Sequence, residues 1–225
     1  MSLWRLKLSR WRHARRVHDN PLARLLKSPL PSASTPFADA EFVCLDIETT
    51  GIDASSAEVL SVGWVLVRNA RVEIATAQSR LVRPPGEVGD SATVHGLTDS
   101  VVEAGEDVVT VLPHILADLE SRALVVHFAG LDKTLLDRLC LGHYGAPLIV
   151  PVVDTLALER RQMDRRHHLD DKRSLRLSAL RADYNLPRYS AHDALADAIA
   201  TAELLLAMVA ARGASHRVTL GELLS

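Results

Sequence analysis

Two carboxylates, Asp46 and Glu48, interrupt the apolar run Phe42-Val43-Cys44-Leu45-Asp46-Ile47-Glu48-Thr49-Thr50-Gly51, where a buried strand ordinarily carries none. On an extended strand, residues two apart share a face, so these acids project side by side, about 6.6 Å apart at about 3.3 Å per residue. Adjacent anions repel, and a divalent cation between them removes the repulsion. Hard oxygen ligands of this kind suit Mg²⁺ or Mn²⁺. The Thr49-Thr50-Gly51 end of the run forms a turn able to bring backbone amides close to a ligand.

Two later segments supply partners: His127-Phe128-Ala129-Gly130-Leu131-Asp132 and His192-Asp193-Ala194-Leu195-Ala196-Asp197. Taken singly, Asp132 reads as a helix cap, His192 as a surface histidine and Asp197 as a solvated helix residue. Taken in order, Asp46, Glu48, Asp132, His192 and Asp197 resemble the constellation of a DEDDh-type 3′→5′ exonuclease of the DnaQ-like group. That group includes the proofreading subunits of bacterial polymerases, such as the exonuclease domain of DNA polymerase III epsilon subunits. The resemblance covers roughly residues 42 to 210.

The resemblance implies two Mg²⁺ or Mn²⁺ ions. Asp46 would bridge both, Glu48 and Asp197 would complete the tighter site, and Asp132 would support the second. Such a pair lowers the pKa of an attacking water and stabilises the leaving oxygen of a phosphodiester. His192 is the expected general base, since an imidazole accepts a proton near neutral pH. It stands five residues before Asp197, about 140° around a helix at 100° per residue, so the two share no face of one continuous helix. In the family the histidine lies on the segment entering the last helix. Val94-His95-Gly96-Leu97-Thr98 resembles the family's lining of the terminal-nucleotide pocket, which adds His95 and Gly96 to Thr49 and Thr50 as expected substrate contacts. Phe128 and Leu131 depart from the family pattern, which commonly has Asn after the motif histidine and an aromatic before the aspartate.

The elements that must position these groups can be read from periodicity. Strands are predicted near 42–48, 58–67 and 71–81, followed by a helix near 108–120. A short strand at 123–127, a helix near 131–142, a strand near 148–153 and helices near 155–163, 174–183 and 193–211 complete the pattern. Three strands joined by short turns, then strand-helix alternation, indicate an α/β fold with a mixed sheet and helices on its faces. The resemblance makes this an RNase H-like five-stranded sheet, with the first strand central and the second antiparallel to it. Asp154-Thr155 reads as a strand end and helix cap.

The 225 residues, 48% of them apolar, suffice for one catalytic domain, expected over 41–225. No run is long enough for a membrane span and no secretory signal is evident, so the expectation is a soluble, cytoplasmic protein. Two cysteines without ligand spacing indicate neither zinc nor a disulfide framework. The net charge of −2 hides an asymmetry: residues 1–40 carry +6 and the remainder −8. Residues 1–40 are read as a basic arm ending in a Pro/Ser-rich linker at 28–36, suited to nucleic acid or a protein partner. Within it, Trp4, Leu8 and Trp11 form a helical stripe expected to pack on the body or on a partner. The expected activity is removal of nucleoside 5′-monophosphates from single-stranded 3′ ends, with DNA favoured. A short-RNA exonuclease and a catalytically weak nucleic acid or protein binding module are the alternatives.

Overall fold

A computed structural model describes residues 3–84, 104–165, 173–189, 192–213 and 217–225. Five strands, β1 (Phe42–Thr49), β2 (Val59–Arg68), β3 (Arg71–Leu81), β4 (Ala123–Val126) and β5 (Val152–Asp154), form one sheet in the order β3-β2-β1-β4-β5. β1 is central, antiparallel to β2 and parallel to β4, so the sheet is mixed as expected. The strand expected near 148–153 pairs only over Val152–Asp154. Pro151 has no N–H to donate, although its carbonyl accepts from the Leu124 amide.

The helices are α1 (Leu3–Ala14), α2 (Pro21–Lys27), α3 (Val108–Asp118), α4 (Asp132–Tyr144), α5 (Thr155–Arg165), α6 (Leu177–Asp183), α7 (Ala194–Ala210) and α8 (Leu220–Leu223). Alternation along β1 divides the core in two. Val43, Leu45 and Ile47 pack with α3 and α4, whereas Phe42 and Cys44 pack with α7. Asp46 and Glu48 continue the Phe42–Cys44 face, and so point toward the layer that contains α7.

The basic amino-terminal segment is seated on the body. α1 contacts α2, which contacts α3, and Leu22 and Leu25 are fully buried. Residues read as a linker are clasped by the carboxy-terminal segment, where Phe37 donates to the Val218 carbonyl and Leu220 to that of Thr35, each at 2.9 Å. The Trp4-Leu8-Trp11 stripe does not face the body. All three are exposed, and α1 docks instead through Leu6 and Arg10. Burying Arg10 is tolerable because its guanidinium donates to the carbonyls of Leu26 and Ser28 and to the Ser28 hydroxyl. Among the described residues, no helix is long and apolar enough to cross a membrane.

Candidate active site

The site forms where β1 runs out against the start of α7, and a glycine makes that approach possible. Gly63 on β2 pairs with Asp46, and a Cβ placed on it would lie 2.2 Å from the Leu195 backbone nitrogen and 2.3 Å from the Ala194 carbonyl carbon. Only a residue without a side chain lets the first turn of α7 rest on the sheet this closely. α7 itself starts where its capping chemistry dictates, since the Asp193 carboxylate accepts from the Ala196 amide at 2.8 Å. Asp197 then falls in the first turn, facing β1.

Asp46, Glu48 and Asp197 each offer a carboxylate oxygen, and these oxygens all lie within 4.8 Å of one another. Glu48 is buried, and Asp46 and Asp197 are half-buried. Burial, followed by the charges of Asp132, Glu48, Asp197 and Asp193, pushes the Asp46 carboxyl well above its ordinary value. Burial likewise raises Asp197, against which the His192 backbone amide and the nearby imidazole pull it down. An all-oxygen set of acids held together against repulsion fits a hard divalent cation, which would relieve the burial and the mutual repulsion together.

Asp132 stands outside that tight group, yet among the neighbouring charges it acts most strongly on Asp46. It begins α4 without capping it: Leu131 occupies the cap position and makes no side-chain cap bond. Burial lifts the Asp132 carboxyl to about 7, against the backbone amides of Asp132 itself and Ile47, which hydrogen-bond it. The loop leading to Asp132 is fixed from below. Asp154 accepts from the Ala129 amide at 2.9 Å and, with its other oxygen, from that of Ala157 at 3.1 Å. His127 is anchored between the Thr155 hydroxyl, 2.7 Å from Nδ1, and the Leu175 carbonyl, 2.9 Å from Nε2. Burial lowers its pKa.

His192 precedes α7, exposed and at φ 72°, with its backbone N–H donating to Asp197 Oδ2 at 3.1 Å. The sequence expectation of a histidine on the entering segment, off the helix face, is therefore met. Thr49 and Thr50 lie beside the carboxylates, but their hydroxyls serve the turn: Thr49 donates to the Gly51 carbonyl and Thr50 accepts from the Glu58 amide at 2.9 Å. His95 and Gly96 fall outside the described residues. Phe128, the departure from the family pattern, adopts φ 142° with its ring half exposed beside Gly130.

Sequence reasoning missed Gly63 and the Asp154–Ala129 tie. A glycine within the apolar strand Val59–Arg68 was the available signal for the first. No local pattern announces the second.

The family model described as Exonuclease, RNase_T, matches residues 43–205. The DNA polymerase III PolC-type protein of Thermotoga maritima is 31% identical over 79% of the chain, and the match spans 12% of that protein. A DNA polymerase III subunit epsilon-like protein of Rhodobacter capsulatus is 29% identical over 86% of the chain and 27% of its own length. The chain thus spans a small part of these relatives. Among solved structures, the nuclease domain of 3′hExo, a DEDDh family member bound to rAMP, shares the fold with a TM-score of 0.64 and 15% identity, covering 79% of this chain and 95% of that one. Exonuclease X in complex with 5′ overhanging duplex DNA aligns with a TM-score of 0.59 and 22% identity, over 80% and 99%.

Proposed function

Because the chain belongs to the RNase_T exonuclease family, we propose that it hydrolyses the terminal phosphodiester of single-stranded nucleic acid from the 3′ end, DNA in preference to RNA, releasing nucleoside 5′-monophosphates. The observation that carries this reading is the gathering of Asp46, Glu48 and Asp197 within 4.8 Å, with His192 at the same helix entrance. Those three carboxylates, with Asp132 behind them, would hold a pair of Mg²⁺ or Mn²⁺ ions. When bound, the ions supply a more acidic water and a stabilised leaving oxygen.

The remaining steps fall to the chain itself. His192 sits on a solvent-facing segment and takes the proton of the attacking water. Its backbone bond to Asp197 keeps that segment beside the acids. Gly63 sets the distance between α7 and the strands, and the Asp154–Ala129 bond holds the loop that carries Asp132. The residues 41–225 act as the exonuclease domain, with the described residues 3–40 packed on it.

The reading is tested by offering protein and Mg²⁺ single-stranded DNA and RNA labelled at either end, beside an Asp46→Asn, Glu48→Gln variant. Stepwise shortening of 5′-labelled strands by the unaltered protein alone is expected, with DNA consumed faster. Internal cleavage, or equal activity of the variant, would refute it.

A further inference from the structure

α1 presents to solvent what folding ordinarily hides. Trp4 is 71% exposed and Trp11 58%, whereas the third tryptophan, Trp64, is fully buried and donates to Asp118 at 2.7 Å. At 100° per residue, Trp4, Leu8, Trp11 and the following Arg15 lie within about 60° of arc, and Leu6 and Arg10, which seat the helix, lie roughly 150° away. The stripe therefore points straight out from the body. Lys7 borders it on one side and Arg5 and Arg12 on the other, all exposed, and α1 contains no acidic residue. The Arg15 guanidinium stands 4.9 Å over the Trp11 ring. None of this is a loose tail, because Arg10 fastens α1 to Leu26 and Ser28, and Ser28 in turn accepts from the Ser121 amide.

We infer that α1 is a second nucleic-acid contact, a stacking and phosphate-binding platform for the part of a single strand that lies away from the end being cut. The inference rests on nucleic acid being the substrate class. Flat indoles accept bases of any sequence, and flanking guanidinium and ammonium groups neutralise the backbone between them. Charge complementarity favours this occupant, for Arg5, Lys7, Arg12 and Arg15 are exposed around the indoles and α1 itself contributes no acidic residue to repel a phosphate backbone. An anionic lipid surface is the lesser fit: the apolar stripe is one row wide, and the rest of the helix is spent on the body rather than on a broad membrane-facing surface.

The platform lies beside the start of β4, where Ser121 sits, and not at the carboxylate end. Phe42, paired with Ala123, is about 13 Å along β1 from Asp46 at about 3.3 Å per residue. A strand with its end at the carboxylates must therefore cover more than about 13 Å, beyond the reach of a dinucleotide, before it meets α1. The platform should serve long substrates and be invisible to short ones.

The test compares the unaltered protein with Trp4→Ala, Trp11→Ala and with Arg5→Gln, Lys7→Gln, Arg12→Gln, on oligodeoxythymidylates of about two and about 20 nucleotides. Turnover of the short substrate should be unchanged, which keeps the catalytic reading separate from this one. KM for the long substrate should rise about 10- to 100-fold in the tryptophan variant, as loss of base stacking requires. In the charge variant the salt dependence should be shallower by about 0.7 in slope for each phosphate no longer neutralised. Without metal, long single strands should quench the fluorescence of Trp4 and Trp11, while the buried Trp64 stays unaffected. A Trp4→Phe, Trp11→Phe variant, which retains flat rings, should recover most of the long-substrate affinity. Equal KM values for all variants with no quenching would overturn the platform. So would binding to phosphatidylglycerol vesicles, with a blue-shifted emission, in place of any response to long strands.

Discussion

The carboxylate end of β1 and the outer face of α1 break the same rule in opposite directions. At the first, acids are pulled out of water: Asp132 is 4% exposed and Glu48 7%. At the second, two indoles are left in it. Burying like charges opposes folding, since the charged forms lose solvation and repel one another. Exposing tryptophans forgoes burial but adds no strain. The two regions therefore differ in what removal does: taking away a buried acid should relieve the fold while ending function, whereas trimming an exposed indole should leave the fold as it is.

The largest expected effect comes from breaking the acidic end. Asp46→Asn should cut hydrolysis by about 10⁴-fold, the equivalent of several kcal/mol of lost transition-state stabilisation at about 1.36 kcal/mol per decade. Its metal-free melting temperature should not fall, and a marked fall would show that Asp46 is a structural residue. His192→Ala should lower turnover by about 10²–10⁴-fold at neutral pH with circular dichroism unchanged; an unaltered rate removes His192 from the mechanism. Gly63→Ala acts on geometry alone. Its methyl must displace the Ala194–Leu195 backbone, costing about 1–3 kcal/mol by overpacking, and a shift of about 1 Å in Asp197 costs about 10²-fold in rate. Retained activity with unchanged stability would refute the close approach.

Acidity offers a gentler probe of the same contrast. The raised carboxyls hold their protons in the folded state and release them in the unfolded chain, so the folded protein binds more protons between the ordinary carboxylate pKa and about 7, the value for Asp132. Stability without metal should therefore be higher near pH 5 than near pH 8, falling as pH rises through that window. Mg²⁺ should raise the melting temperature at pH 8 more than at pH 5. Thermal scans at both values, with Mg²⁺ or with chelator, decide this, and equal melting temperatures would refute it. The smallest effect concerns Phe128, whose φ of 142° disfavours a side chain. Phe128→Gly should be more stable than Phe128→Ala by about 1 kcal/mol, the reverse of their usual order, as chemical denaturation would show.

Much of this was legible in the chain because it rests on local patterns. β1 was visible as an apolar run, and Asp46 and Glu48 as its violation. The entry of α7 could be placed from its helical period near 193–211 with His192 just before it, whereas the Asp193 cap emerged only in the structure. The face of α1 was not legible: periodicity located the Trp4–Leu8–Trp11 stripe but could not tell which side would meet the body. A guanidinium, Arg10, proved the better anchor because three oxygens from the next helix and its end await it. Nor could α2 be read, since seven residues contain too little periodicity to register, although its burial of Leu22 and Leu25 fixes the whole amino-terminal layer. Gly63 was plain to see and silent as to its use, because the helix it accommodates begins more than a hundred residues later.

That separation shapes when the acidic group is assembled as well as how. Synthesis yields Asp46 early and Asp197 late, and the sheet waits at Gly63 for a helix not yet made. A nascent or truncated chain ending before α7 holds only part of the acidic group, so the proposed nuclease competence arrives with closure of the domain rather than accumulating as the polypeptide grows.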